Sequence, residues 1–362
     1  MTSTQPSLAQ LDKNFALPTS AEGMTWYDIR ALGVEGQGWK DVESTYDRFP
    51  AKAKGVVRDP VWHLSQHSAG LCVRFVTDSP RVAAQWTVRS ANLAMDHMPS
   101  TGVSGLDLYA WDEAGKRWRF SGVGRLKETN AKATLLSASN PAGPRHFLLY
   151  LPLYNGVSEV RVGINDGATI TKAPAYPVSD QRPIVFYGTS IVQGGCASRP
   201  GMVHTAILHR RLNRPVINLG FSGNAKSEPE VADLLAELDP CAYVLDPLPN
   251  MSEDEVRQRI VPLVNTLRLA RPMIPIILVG NIHYTDGWIN TGRGDRARKS
   301  NAALLECFQQ LQAQGVPNIS LIPGEKMLDA AGEGTVDGTH PTDVGFTAMA
   351  DAQEPVLRQV LG

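Results

Sequence analysis

Charge imbalance, long apolar runs and patterned cysteines are what this sequence lacks. Lysine and arginine total 35 against 36 aspartates and glutamates, a formal net charge of -1. No long-range field therefore draws the chain to a polyanion or an anionic membrane, and neither nucleic acid nor a membrane is expected as a partner. No stretch is apolar for long enough to span a bilayer. The opening MTSTQPSLAQLDKNF has neither the basic start nor the apolar core of a secretory leader, which makes a cytoplasmic protein the default expectation; a secreted chain trimmed of its leader would read the same. Cys72, Cys196, Cys241 and Cys307 are far apart, with neither CxxC spacing nor paired histidine ligands. Buried free thiols are expected, with no metal and no cofactor. Gly194-Gly195 has no GKS or GKT behind it, so no phosphate loop is expected. Internal repeats and low-complexity tracts are also missing.

What is present fills two cores. The chain has 362 residues, 43% of them hydrophobic, more than one core usually holds. Up to about residue 180 the apolar residues fall in short alternating or continuous runs between turn formers. Examples are LCVRFVTDSPRVAAQWTVRS from Leu71, turning at Asp78-Ser79-Pro80, GLDLYAWDEAGKRWRF from Gly105, and HFLLYLPLYNGVSEVRVGI from His146. No amphipathic helix is expected among them, and an all-β sandwich or jelly roll is the economical architecture. The Pro-rich stretch KAPAYPVSDQRP marks the boundary between a domain at 1–180 and another at 181–362. Beyond it strands (IVFY, VINL, YVLD, IPIILVG, ISLI) alternate with helices, one opened by a capping box at Ser252 and Glu255, another beginning near Ser300. That alternation predicts a parallel sheet covered on both faces, a three-layer α/β sandwich.

In such sheets ligands sit beyond the carboxyl ends of the strands. Ser190 follows the first strand, Gly220 the second and Asn250 the third, and Asp337 and His340 precede the last helix, in the stretches YGTSIVQGG, NLGFSGN, LDPLPNMS and DGTHPTDVGF. Their order resembles that of the SGNH (GDSL-like) hydrolases from about Arg182 to Gly362, and Gly105-Leu106-Asp107-Leu108-Tyr109 resembles the GxDLY signature of the sandwich domain upstream of one subgroup. The resemblance implies a flavodoxin-like catalytic domain and a serine esterase. Ser190 would be the nucleophile, His340 its base, Asp337 the residue orienting His340, and Ser190, Gly220 and Asn250 the oxyanion hole. Two positions depart from the family pattern: Thr189 stands in place of the Asp of GDS, and Leu248-Pro249-Asn250 in place of GxND.

The chemistry asks for these residue types. A serine hydroxyl attacks an ester when an imidazole takes its proton, and a carboxylate on the other ring nitrogen fixes the tautomer. Backbone N–H groups and a side-chain amide then bind the oxyanion. Gly194 and Gly195 are expected to let the backbone approach substrate, and His283 and Tyr284, in the segment 281–299, to wall the pocket; a solvated loop is the other reading of its basic part. Asp246, at the end of the third strand, reads as a strand-end residue, and Cys196 as a packed thiol. His63, His67, His97 and His146 read as structural, and Trp62, Trp86, Trp111 and Trp118 mostly as core. The resemblance also implies a small acyl ester, acetyl on a carbohydrate, as substrate. A lipase, arylesterase or thioesterase of the same fold, and a glycan-binding protein on an esterase scaffold, are the alternatives, with oligomeric state open. The sandwich is expected to pack near the mouth of the site.

Overall fold

The structure, a computed structural model, describes residues 16–19, 23–138, 143–328 and 332–362; the stretch Met1–Phe15 read above for a leader lies outside them. The amino half is a sandwich of two antiparallel sheets. One runs in the order Ala16–Thr19, Met24–Asp28, Val157–Asn165, Arg81–Val88, Asn130–Ser137. The other runs Ile170–Lys172, Cys72–Thr77, Arg145–Tyr150, Leu106–Asp112, Arg117–Gly124, with the short strand Val34–Glu35 also on Cys72–Thr77.

Side chains alternate across a strand, so the second sheet has two different faces. Leu106 and Leu108 enter the sandwich core with Val73, Phe75, Trp86 and Leu149. Tyr109, Cys72, Leu148 and Tyr150 point the other way and share a core with Ile184, Phe186, Ile207, Leu208 and Phe346 of the carboxyl half. Asp107, fully buried, lies on that outer face; its Oδ2 accepts from Arg199 Nη1 at 2.7 Å and from the Gly201 N–H at 2.8 Å. Arg199 also donates to the Tyr109 hydroxyl. The polar residues of the GxDLY signature thus latch the sandwich to the segment that follows Ser190.

The amino half is not strand alone: upstream of the segments read as strands, Asp59–Ser65 is helical, with Pro60 in its first turn and Val61 and Trp62 buried. Proline is pre-organised for that position. This helix, with Trp39, Phe49 and Val57, packs against Leu219, Phe221, Leu235 and Leu238 of the carboxyl half. Arg48, also buried, donates from Nη1 to the carbonyls of Asn218 at 3.1 Å and Gly220 at 2.8 Å.

The carboxyl half is the α/β sandwich. Its five strands are all parallel, in the order Val216–Gly220, Ile184–Gly188, Ala242–Asp246, Ile276–Val279, Ile319–Ile322. The chain order 2-1-3-4-5 reverses beside the first strand, so ligand chemistry belongs at the carboxyl ends of the first three. The capping box at Ser252 and Glu255 forms as expected. The next helix begins at Thr291, nine residues before Ser300, so Arg293, Arg296 and Arg298 lie on a helix and the reading of a solvated loop is corrected. Among the described residues no helix is long and apolar enough to cross a membrane.

Candidate active site

Ser190 sits at the first position of a one-turn helix, Ser190–Gln193, that starts directly after the first parallel strand. Thr189 caps it, its hydroxyl accepting from the Ile191 N–H at 3.3 Å, so the departure from GDS preserves the turn. Ser190 Oγ lies 2.9 Å from His340 Nε2, and His340 Nδ1 lies 2.7 Å from Asp337 Oδ2. Asp337 Oδ1 meanwhile accepts from the backbone N–H groups of Thr339 at 3.0 Å and His340 at 2.8 Å. Partial burial pushes the Asp337 carboxyl up, but these bonds and the imidazole outweigh it and hold it down to about 2. The carboxylate is therefore charged at neutral pH, and the hydroxyl, ring and carboxylate form one relay. Arg293 braces this loop. It pairs with Asp286 at 2.7 Å and donates to the Thr339 hydroxyl and the Asp337 carbonyl.

Gly220 is a correction. Its N–H donates to Asn218 Oδ1 at 2.9 Å, and a Cβ there would come within 2.1 Å of Gln193 N. A glycine is needed for close packing beneath the nucleophile helix, and its N–H is already used. Three residues on, Gly223 has φ +70° and is exposed. Its N–H has no partner among the described residues. Its neighbour Ser222 donates to Gln193 Oε1 at 3.0 Å, and Ala225 donates to Asn250 Oδ1 at 3.2 Å. With Oδ1 so engaged, Asn250 Nδ2 is the end left without a hydrogen-bond partner among the described residues. The NLGFSGN stretch carried the signal for Gly223, since a Ser-Gly-Asn turn favours positive φ at glycine.

The other expected residues divide. Gly195 touches the site: a Cβ there would lie 3.2 Å from His340 Cδ2. Gly194, at φ +110°, packs on Leu153 and Val203 and serves the turn. Both glycines donate their N–H to the Ser190 carbonyl. Tyr284 is a correction, being buried in the core with Arg293 over its ring and its hydroxyl accepting from Asn281. His283 is exposed and makes no hydrogen bond or ring contact with Ser190, His340 or Asp337 among the described residues. Asp246 ends its strand buried, and burial pushes its carboxyl well above the usual carboxylate range.

The sandwich supplies the rest of the surroundings. Tyr154 donates its hydroxyl to the Ser190 carbonyl at 3.2 Å. His67 pairs with the Gln193 amide at 3.0 Å, and burial, then Arg48 and Arg89, pull its imidazole down to about 4. His97, expected to be structural, is instead exposed, with its ring centroid 5.8 Å from that of His340. Cys196 is packed as expected, at φ +73°, with burial and then Asp337 raising its thiol to about 12. The fold brings together what sequence spacing keeps apart, since ligand atoms of His97, Cys196 and His340 all lie within 4.8 Å of one another. Residues this remote in sequence leave no spacing signature.

Comparison with known proteins identifies the family. Residues 181–358 match the GDSL-like lipase/acylhydrolase family, and residues 24–170 match the GxDLY domain, the amino terminus of SGNH hydrolase-type esterases. No curated protein matches. Among solved structures, a GDSL-like lipase from Bacteroides ovatus is 34% identical, covering 93% of this chain and 98% of that one with a TM-score of 0.87. Two more distant structures share the fold. A salicylyl-acyltransferase from a tetracycline biosynthetic pathway is 18% identical over 96% of this chain and 98% of that one, TM-score 0.70. An acetyl xylan esterase from the rumen bacterium Butyrivibrio proteoclasticus is 13% identical over 93% and 99%, TM-score 0.58. The chain belongs to the GDSL-like lipase/acylhydrolase family of SGNH hydrolases, in the subgroup that carries an amino-terminal GxDLY sandwich.

Proposed function

We propose that this protein is a serine esterase that removes small acyl groups, acetyl above all, from carbohydrate esters through an acyl-enzyme intermediate. The observation that carries the reading is the relay from Ser190 through His340 to Asp337, at 2.9 and 2.7 Å. His340 takes the hydroxyl proton as Oγ attacks the ester carbonyl. Asp337 holds the ring and balances the imidazolium that forms. The oxyanion meets the N–H groups of Ser190 and Gly223 and the Asn250 amide, whose carbonyl end is tied to Ala225. His340 then protonates the departing alcohol, and water, deprotonated by the same ring, releases the acid. The scheme needs no metal and no cofactor. The acetyl and carbohydrate assignment is supported by likeness to the acetyl xylan esterase; no single residue carries it.

Ser190→Ala is expected to abolish hydrolysis, with residual activity down by at least about three decades, while the circular dichroism spectrum stays that of the parent. An organophosphonate should label Ser190 alone. Full activity in the alanine variant overturns the mechanism. Acetate release from acetylated xylo-oligosaccharides, set against aryl esters of increasing chain length, tests the substrate. Rates that climb with chain length favour a lipase-like groove instead.

A further inference from the structure

Three potential metal ligands converge beside the nucleophile, two of which the proposed reaction does not use. His97 comes from the sandwich, Cys196 from the turn after the nucleophile helix, and His340 from the loop before the last helix. A ring nitrogen of each histidine and the Cys196 sulfur lie within 4.8 Å of one another. The Cys196 N–H donates to the Met98 sulfur at 3.4 Å, tying this turn to the segment that carries His97. Gly195, next to Cys196, lies against Cδ2 of His340, the carbon bonded to Nε2. The turn is therefore on the Nε2 side of the ring, opposite Asp337. His97 is exposed, and about a quarter of the His340 side chain reaches solvent, so an ion can enter from outside.

We propose that a thiophilic divalent cation, Zn²⁺ in the first place, binds reversibly to His97, Cys196 and His340 and thereby switches the esterase off. Two imidazoles and a thiolate select Zn²⁺ over the oxygen-seeking Mg²⁺ and Ca²⁺. Bond lengths of about 2.0–2.1 Å to nitrogen and about 2.3 Å to sulfur ask the ligand atoms to close to about 3.5 Å of one another. The exposed His97 side chain and its surface segment can supply that movement. Asp337 on Nδ1 completes the outer shell, since a metal-bound histidine commonly donates its other N–H to a carboxylate. On binding, the Cys196 thiol gives its proton to solvent and the Nε2 lone pair passes to the metal. The ring then has nothing left with which to take the Ser190 proton. Water fills the fourth position.

The second such cluster, Glu35, Cys72 and His209, carries no comparable argument. His209 is wholly buried, and its two ring nitrogens are hydrogen-bonded to Tyr150 at 2.9 Å and Tyr176 at 2.8 Å.

Binding stands on the cluster alone, whereas inhibition rests on His340 acting as the base, and the two are read separately. Chelator-treated full-length protein is titrated with Co²⁺, whose near-ultraviolet thiolate band and strong visible bands report tetrahedral sulfur coordination. Zn²⁺ is then used to displace it, and hydrolysis of an aryl acetate is followed in parallel. The expected result is one equivalent bound with the thiolate band, activity lost in step, and recovery with EDTA. His97→Ala and Cys196→Ser should keep their metal-free activity, bind at least about tenfold more weakly and resist inhibition to the same degree. Cys196→Ser should also lose the thiolate band. Binding without loss of activity would sink the role of His340 and leave the site standing. No thiolate band in the parent protein, or variants as sensitive to Zn²⁺ as the parent, overturns the site. His97 is a surface residue, so that variant tests the proposal even if the cysteine change impairs folding.

Discussion

The two halves depend on each other unequally. The sandwich has a core of its own, in which every member, from Tyr27 to Ile170, belongs to the amino half. The α/β domain has none of its own: one of its two clusters takes in Trp39, Phe49, Val61 and Trp62, and the other Met98, Tyr109, Leu148 and Tyr150. Polar contacts run the same way. Arg48 holds the carbonyls at the end of the second parallel strand, Tyr154 the Ser190 carbonyl, and His67 the Gln193 amide. Ser190, His340 and Asp337 all lie in the carboxyl half, whereas contacts beneath the Ser190 turn come from Tyr154 and His67 of the amino half. A sandwich domain can therefore be a structural necessity for its neighbour without contributing to the chemical step.

Separating the halves should give the largest effect. Residues 181–362 alone are expected not to reach a cooperative fold, because both hydrophobic clusters that flank the parallel sheet would lose the members the amino half supplies and expose apolar surface there. Residues 16–173 should give a cooperative thermal transition, though with a tendency to associate through Tyr109 and Tyr150. Near-ultraviolet circular dichroism and melting of each fragment check this. A well-folded, active carboxyl fragment would break the comparison outright.

Next in size is the oxyanion donor. Asn250→Ala should lower kcat by about two to three decades with a much smaller effect on KM, because the amide acts chiefly in the transition state. The melting temperature should move little, since among the described residues Asn250 Oδ1 accepts the Ala225 N–H alone. An unchanged kcat would remove it from the site. Chemistry and fold are then separable in the carboxyl half, as they are not in the contacts from the amino half.

The sequence was informative where local physics decides. Parallel strands buried on both faces read as continuous apolar runs such as IVFY and IILV, and Ser190 does follow a strand end as its position in the sequence suggests. It was uninformative where partners are distant. Cys72–Thr77 and Arg81–Val88 flank one turn at Asp78-Ser79-Pro80, yet pair into opposite sheets, and turn residues do not say which sheet comes next. The helix from Thr291 starts in a basic stretch without apolar periodicity, where bonds from Arg293 to Thr339 and from Arg296 to the Pro249 carbonyl secure it. Two glycines in NLGFSGN could serve as the proposed donor, and what separates them is distant in sequence, the packing of Gln193 against Gly220, besides the Asn218 side chain on the Gly220 N–H. His97 is an exposed histidine in a loop, with nothing nearby in the chain to distinguish it from any other. For Asp107 the alternation of Leu106 and Leu108 gave its face, but not what that face meets.

The Asp107 latch gives a smaller effect that falls on stability more than on turnover. Its burial raises the carboxyl, opposed by Arg199, and Arg199 reaches solvent along part of its length. Asp107→Ala is expected to cost about 2–3 kcal/mol, short of the cost of breaking a fully buried pair because Arg199 can rehydrate. The rate should fall less than about tenfold, as no reacting group is touched. Denaturant titration measures the loss, and a double-mutant cycle with Arg199→Ala should show coupling. Additive effects would mean that the signature residues do not hold the halves together.

The smallest effect is a pH dependence of stability, and it follows from where the buried histidines are. Burial, then Arg48 and Arg89, lowers His67 to about 4; burial lowers His204 to about 3; burial, then Arg74 and Arg210, lowers His209 to about 3. His67 and His209 sit where the halves meet, bonded to Gln193 and to Tyr150 and Tyr176. His204 lies inside the α/β domain, stacked on Phe346, with neither ring nitrogen hydrogen-bonded among the described residues. All three folded values lie below the unfolded imidazole value of about 6.5, so between the two the unfolded chain binds more protons. The stability they contribute is complete above about pH 6.5 and is lost as the pH falls toward the folded values. Asp337, also depressed, acts in a lower window, from about pH 3.9 down to about 2, and contributes less because it is partly exposed. The three histidines should therefore lower the melting temperature between about pH 7 and pH 4.5, before Asp337 titrates, against the raised carboxyls of the buried Asp246 and Asp107, which favour the fold as the pH falls. His204→Phe should flatten that slope without changing the activity at neutral pH, since it removes one of the three buried proton acceptors and leaves the contacts between the halves in place. An unaltered slope in this variant would place the acid sensitivity in the junction, with His67 and His209, and so make the dependence of one half on the other the first thing that acid breaks.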